Sequence, residues 1–182
     1  MLITFVSIKA SALYTELGLN YAYKKTNIDL YNSTEQQSST GSISLYFWDR
    51  VAIELSYTNS LYVKKEQNQA NVTTSIRTTT QLADIYGLDL IYVFADKKAA
   101  FQPYIKGGAA YIAKSQRSQI DNQSPGTAGP YYGVAPSYGI GLKYFLTDSI
   151  ALRTGFDIMR TPVDNTNYVE DANGRLGLSW IF

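Results

Sequence analysis

The chain contains no cysteine and no histidine among its 182 residues. Without cysteine there can be no disulfide, no thiolate metal site and no thiol nucleophile. Without histidine the commonest general base and the usual zinc ligand are gone, together with the triads and dyads that need an imidazole. An excess of one charge is missing as well. Sixteen Lys+Arg against 15 Asp+Glu leave a formal charge of +1, the pI is near 7.8, and the basic residues are scattered, so no field exists to draw in nucleic acid. No window approaches the roughly 18 consecutive apolar residues of a transmembrane helix.

Tyrosine is abundant. There are 16 tyrosines beside 7 Phe and 2 Trp, yet mean hydropathy is only -0.17. A barrel that crosses a bilayer on alternating residues reconciles the two, because only every second side chain meets lipid. At the N-terminus, Leu2-Ile3-Thr4-Phe5-Val6 followed by Ala10-Ser11-Ala12 reads as the end of an apolar signal region with a small-residue cleavage site. This predicts that residues 1–12 are a signal-peptide remnant and that 13–182 form one domain.

Alternation of apolar and polar residues recurs along the chain, and helical period is absent. Leu13, Thr15, Leu17, Leu19, Tyr21 and Tyr23 oppose Glu16, Gly18, Asn20, Ala22 and Lys24 as strand one. Residues 25–41 are polar and read as a long loop, followed by strand two on Ile43, Leu45 and Phe47. A turn at Trp48-Asp49-Arg50 leads into a third strand through Val51, Ile53, Leu55 and Tyr57, and a hairpin rich in threonine and asparagine runs on to about Thr80. Strand four carries Tyr86 to Phe94, strand five Phe101 to Tyr111, strand six Tyr132 to Tyr144 and strand seven Ile150 to Met159. The last strand begins at Arg175, and further long loops are expected over 115–130 and 161–173. Long and short connections alternate strictly. The prediction is an all-β, eight-stranded, up-and-down antiparallel transmembrane β-barrel.

The contents of the two faces decide which one meets lipid. One face is Gly, Ala and Ser with single charges, as a narrow cylinder's interior requires. The other places Tyr92, Phe94, Phe101, Tyr144, Trp180 and Phe182 toward the short turns, and Tyr21, Tyr23, Tyr57, Tyr111 and Tyr132 toward the long connections. Rings at both ends are the aromatic girdles of a bilayer protein. The inward set then includes Glu16, Glu54, Asp89 and Asp157 with Lys106, Lys143, Arg153 and Arg175. Charges removed from water need partners, and acids balance bases here. Glu54 and Arg153 each stand four residues beyond a short turn, a depth at which they could meet across the lumen.

The final octad, Arg175-Leu176-Gly177-Leu178-Ser179-Trp180-Ile181-Phe182, resembles the C-terminal assembly signal of outer-membrane proteins. The chain as a whole resembles the OmpA-like and OmpX-like eight-stranded barrels through Pro103-Tyr104 with Gly107-Gly108, the Tyr144-Phe145 approach to a short turn, and that octad. The resemblance implies that Gly177, Trp180 and Phe182 are read by the barrel-assembly machinery. It also implies that Glu54 and Arg153 match the glutamate and arginine of a salt-bridge gate. Full OmpA proteins continue into a peptidoglycan-binding domain where this chain stops, so anchoring to the cell wall is not inferred.

The functional expectation is an integral protein of the bacterial outer membrane with an envelope-integrity or surface-interaction role. A small channel, or a conduit for apolar molecules of OmpW-like type, is the alternative. Lys24, Lys25, Lys64, Lys65, Lys114, Arg117 and Arg160 sit at or above the outer rim, where lipopolysaccharide phosphates would lie. Enzymatic activity, cofactors and metals are not expected, since the known barrel hydrolases rely on histidine.

Overall fold

The computed structural model describes residues 14–29, 32–68, 75–121, 124–162 and 168–182; the signal-peptide reading of residues 1–12 lies outside them. Eight strands follow one another around a closed barrel. They are β1 (Tyr14–Asn27), β2 (Ser33–Trp48), β3 (Val51–Asn68), β4 (Ser75–Val93), β5 (Phe101–Ile120), β6 (Gly126–Phe145), β7 (Ile150–Pro162) and β8 (Tyr168–Ile181). Each pairs antiparallel with its neighbours in sequence, and β8 returns to β1.

The strands are longer than predicted, and the connections correspondingly shorter. The loop expected over 25–41 is mostly paired backbone, in register from Asn27↔Ser33 to Leu19↔Gly41. The hairpin expected to run on to about Thr80 is present as a ladder from Asn59↔Asp84 out to Asn68↔Ser75. The loop expected over 115–130 is shared between β5 and β6, and the one over 161–173 between β7 and β8, which starts at Tyr168 rather than Arg175. The physical reason is common to the three stretches read as loops. Outside the hydrophobic band both faces of a strand meet water, so the side chains on both can be polar and no period of two is left to read. Backbone hydrogen bonding continues regardless, because each N–H and C=O still gains a partner.

Within the band, the predicted sidedness is the observed one. Leu19 is 73% exposed and Ile140 62%, whereas Ala52, Ile91 and Arg153 are 0% exposed. Tyr57, Tyr86, Tyr111 and Tyr132 form a row on neighbouring strands, with ring centroids 5.2, 6.4 and 6.2 Å apart. At the opposite rim Phe101 lies 4.7 Å from Tyr144, and Trp180 stacks on Phe182 at 5.3 Å. From Tyr86 to Phe94 the chain advances about 26 Å at ~3.3 Å per residue, or about 20 Å upright after a tilt of ~40°. That spans most of the roughly 25 Å apolar band of a transmembrane barrel.

The ladders differ greatly in depth. β3 and β4 pair continuously from Val51↔Tyr92 to Asn68↔Ser75. The closing seam between β1 and β8 holds six pairs, from Glu16↔Ile181 to Tyr21↔Leu176. Beyond it β1 and β8 are no longer paired, and Gln36 on β2 donates its amide to Asn173 Oδ1 on β8 at 3.1 Å.

Candidate functional site

Inward side chains fill the bore in two layers at different distances from the short turns. Nearest those turns a buried cluster of Tyr14, Tyr46, Ala52, Ile91, Val93 and Tyr104 packs the cylinder. Tyr14 and Tyr46 stack face to face at 4.1 Å. Tyr46 was not among the inward residues expected from sequence, although it is in phase with Ser42 and Ser44; its aromatic neighbours Phe47 and Trp48 obscured that phase. A register shift between Tyr46 and Trp48 turns the chain at this rim.

On this cluster rests the first ion-pair layer. Arg153 Nη1 lies 2.6 Å from Glu54 Oε2 and 3.9 Å from Glu16 Oε1, so β7 and β3, which are not neighbours, are joined across the lumen. Lys143 pairs with Glu16. Tyr46 donates its hydroxyl to Glu16 Oε2 at 3.0 Å, Ser44 donates to Glu54 Oε2 at 3.1 Å, and Arg153 Nε donates to the Tyr104 hydroxyl at 3.0 Å. The Lys143 ammonium and the Arg153 guanidinium both stand over the Tyr104 ring, at 5.6 and 5.0 Å. All four charged side chains are essentially inaccessible to solvent. Such a layer survives because each charge has an opposite charge and hydrogen bonds, which offset desolvation.

The second layer is made of Asp89, Lys106, Asp157 and Arg175. Lys106 Nζ donates to Asp89 Oδ2 at 2.8 Å and lies 3.5 Å from Asp157 Oδ1; Arg175 Nε is 2.9 Å from Asp157 Oδ2. Ser137 completes Asp89 with a 2.5 Å hydrogen bond. A 3.4 Å contact from Lys106 to Glu54 links the layers. The eight charges named from sequence therefore form two groups, each with two acids and two bases.

Small residues let these groups fit. A Cβ on Gly108 would strike the Leu88 carbonyl and the Asp89 backbone, and one on Gly177 would strike the β1 backbone at Leu19 and Asn20. Gly177 is thus what permits β8 to close against β1. Trp180 on the same strand and Phe182 just past its end are both exposed on the outer side.

Above the second layer, on the side away from the short turns, the bore opens into a cavity of ≈ 360 Å³ walled by hydroxyls and amides such as Thr40, Ser56, Thr58 and Gln81. The seven cations expected at the outer rim do not share a direction. Lys114 lines this cavity, and Lys24 and Lys64 continue the inward phase of Asn20 and Glu54. Lys25, Lys65 and Arg117 lie on outward positions, and the side chain of Arg160 is outside the described set. Among the described residues, no group of three or more His, Cys, Asp or Glu could hold a metal ion.

The sequence matches no curated protein. Several solved structures share its fold. The N-terminal β-barrel domain of Pseudomonas aeruginosa OprF superposes with a TM-score of 0.60 at 19% identity, covering 93% of this chain and 97% of that one. Ail, the attachment invasion locus protein of Yersinia pestis, gives 0.57 at 12% identity over 94% and 100%. The outer membrane protein OprG of P. aeruginosa gives 0.56 at 12% identity over 93% and 95%. The model of the outer membrane protein beta-barrel domain matches residues 1–182. An apolar band between two aromatic girdles around a charged, self-neutralised bore is how such proteins sit in lipid, and this chain belongs to the outer membrane protein beta-barrel family, integral to the bacterial outer membrane.

Proposed function

We propose that this barrel is a non-enzymatic structural and surface-interaction protein, closed through its middle and presenting tall hairpins outside. The layer of Glu16, Glu54, Lys143 and Arg153 carries this reading. With Tyr46 and Tyr104 it occupies the full width of the bore, and each of its charges is already held by another. In this class of barrel the long excursions from the membrane lie on the outer side; the β3–β4 and β5–β6 ladders run far beyond the apolar band, to Asn68↔Ser75 and Ser118↔Gly126, so these hairpins stand outside the cell.

Several features support the surface role. The outward cations Lys25, Lys65 and Arg117 lie above the tyrosine row, within reach of lipopolysaccharide phosphates or other anions of the envelope. Gly177, Trp180 and Phe182 supply the seam-closing glycine and two outward rings that the assembly machinery would recognise on the last strand. Against catalysis, Glu16, Glu54, Asp89 and Asp157 are each engaged by a cation, and among the described residues no nucleophile stands beside a free base.

Planar-bilayer recording of the refolded chain tests the closed-bore reading. The expected result is no reproducible conductance step from the wild type, with leak currents appearing only when Glu54→Ala frees Arg153. Steady wild-type conductance that Glu54→Ala alters would replace this reading with the small-channel one, which draws its support from the cavity above the ion pairs.

A further inference from the structure

The cavity above the second ion-pair layer has the makings of a binding site that the closed-bore reading does not use. Its floor holds polar groups without protein partners. Asn20 is 6% exposed, and among the described residues neither its amide nitrogen nor its oxygen has a hydrogen-bond partner; Arg175 Nη2 is buried and equally unpaired. Buried polar groups are rarely left so, because each forfeits the desolvation it has undergone. Both residues border the ≈ 360 Å³ space.

Charge decides what kind of molecule suits it. Lys106, Arg175 and Lys114 line the cavity with Asp89 and Asp157, three cations against two carboxylates, so the lining carries a net +1. The two carboxylates are taken up by Lys106 and Arg175, and among the described residues no acid pairs with Lys114. The walls supply hydroxyls from Thr40, Ser56, Thr58 and Ser60, and Tyr62 offers a ring. A solute with its own hydroxyls can exchange hydrogen bonds with such walls, and its negative charge would meet Lys114.

We propose that this vestibule binds a small hydroxylated anion of sugar-acid size, with Lys114 facing its charge and Asn20 and Arg175 bonding its polar atoms. The proposal is independent of whether the bore conducts, since it concerns only the space on the outer side of the ion pairs.

The test is calorimetric titration of the full chain in detergent with glucuronate, using glucose as the uncharged counterpart. Glucuronate is expected to bind in the millimolar range, glucose about tenfold or more weaker, and Lys114→Gln and Asn20→Ala each to lower glucuronate affinity by about tenfold. Heat-dependent gel mobility of each variant confirms that the barrel has formed. Absence of glucuronate binding at about 10 mM to folded wild type would mean that water alone satisfies these groups, and would overturn the proposal. Equal binding of glucose would remove the anionic part of it, and binding unchanged in both variants would remove the site.

Discussion

The two ends of the bore are built by the same alternation and yet have opposite characters. Toward the short turns the inward positions carry Tyr14, Tyr46, Tyr104, Ile91, Lys143 and Arg153, and the cylinder is full. Toward the long hairpins they carry Ser, Thr, Ala and Gln, and a cavity remains. An eight-stranded cylinder is just wide enough for side chains to fill. Whether it closes therefore depends on side-chain volume at each level, and this chain concentrates its inward aromatic rings and ion pairs toward one end. The filled end should set stability, while the open end should tolerate change.

That contrast can be broken experimentally. Arg153→Ala leaves Glu54 and Glu16 without their shared cation in a site closed to water, and should lower stability by about 3–5 kcal/mol in urea unfolding from lipid vesicles. A loss as small as that of an outer-half variant would show that the closed end is not the source of stability. Gly177→Val forces a side chain into the β1 backbone at the seam. The expectation is a loss of about 1–3 kcal/mol and a reduced heat-modifiable folded band; normal yield of that band would mean the seam relaxes freely. Tyr104→Phe removes only the acceptor for Arg153 Nε, and about 1–2 kcal/mol should be lost with the fold intact, read as a shifted urea midpoint at unchanged slope. Ser60→Ala, on the cavity wall, should stay within about 0.5 kcal/mol. A larger loss there would erase the distinction between the two halves.

Much of this architecture could be read from residue order, for reasons that also explain what could not. Where one face meets lipid and the other a crowded interior, as from Tyr86 to Phe94, the side chains must alternate, and strand and sidedness follow together. From Ser33 to Gly41 no such demand exists, and a paired strand reads as a loop. Glu54 and Arg153 stand at matching distances from short turns, so their approach across the lumen could be foreseen. Which acid each base would choose could not, because Lys106 on β5 lies within 3.5 Å of three carboxylates, Asp89 and Glu54 on β4 and β3 to one side and Asp157 on β7 to the other. The split of the rim lysines follows from phase alone: adjacent residues such as Lys24 and Lys25 must point to opposite faces. The cavity had no signature in the sequence, since small hydroxylated residues are common both inside narrow barrels and on wet strands.

The shallow seam described above, six pairs between β1 and β8 beside the long ladder between β3 and β4, has a mechanical consequence. The molecule is a sheet of uneven height rolled shut along its lowest edge. Tension applied to its outer hairpins would part that edge first, much as a sleeve splits along a short row of stitches, and would leave the tall opposite wall standing.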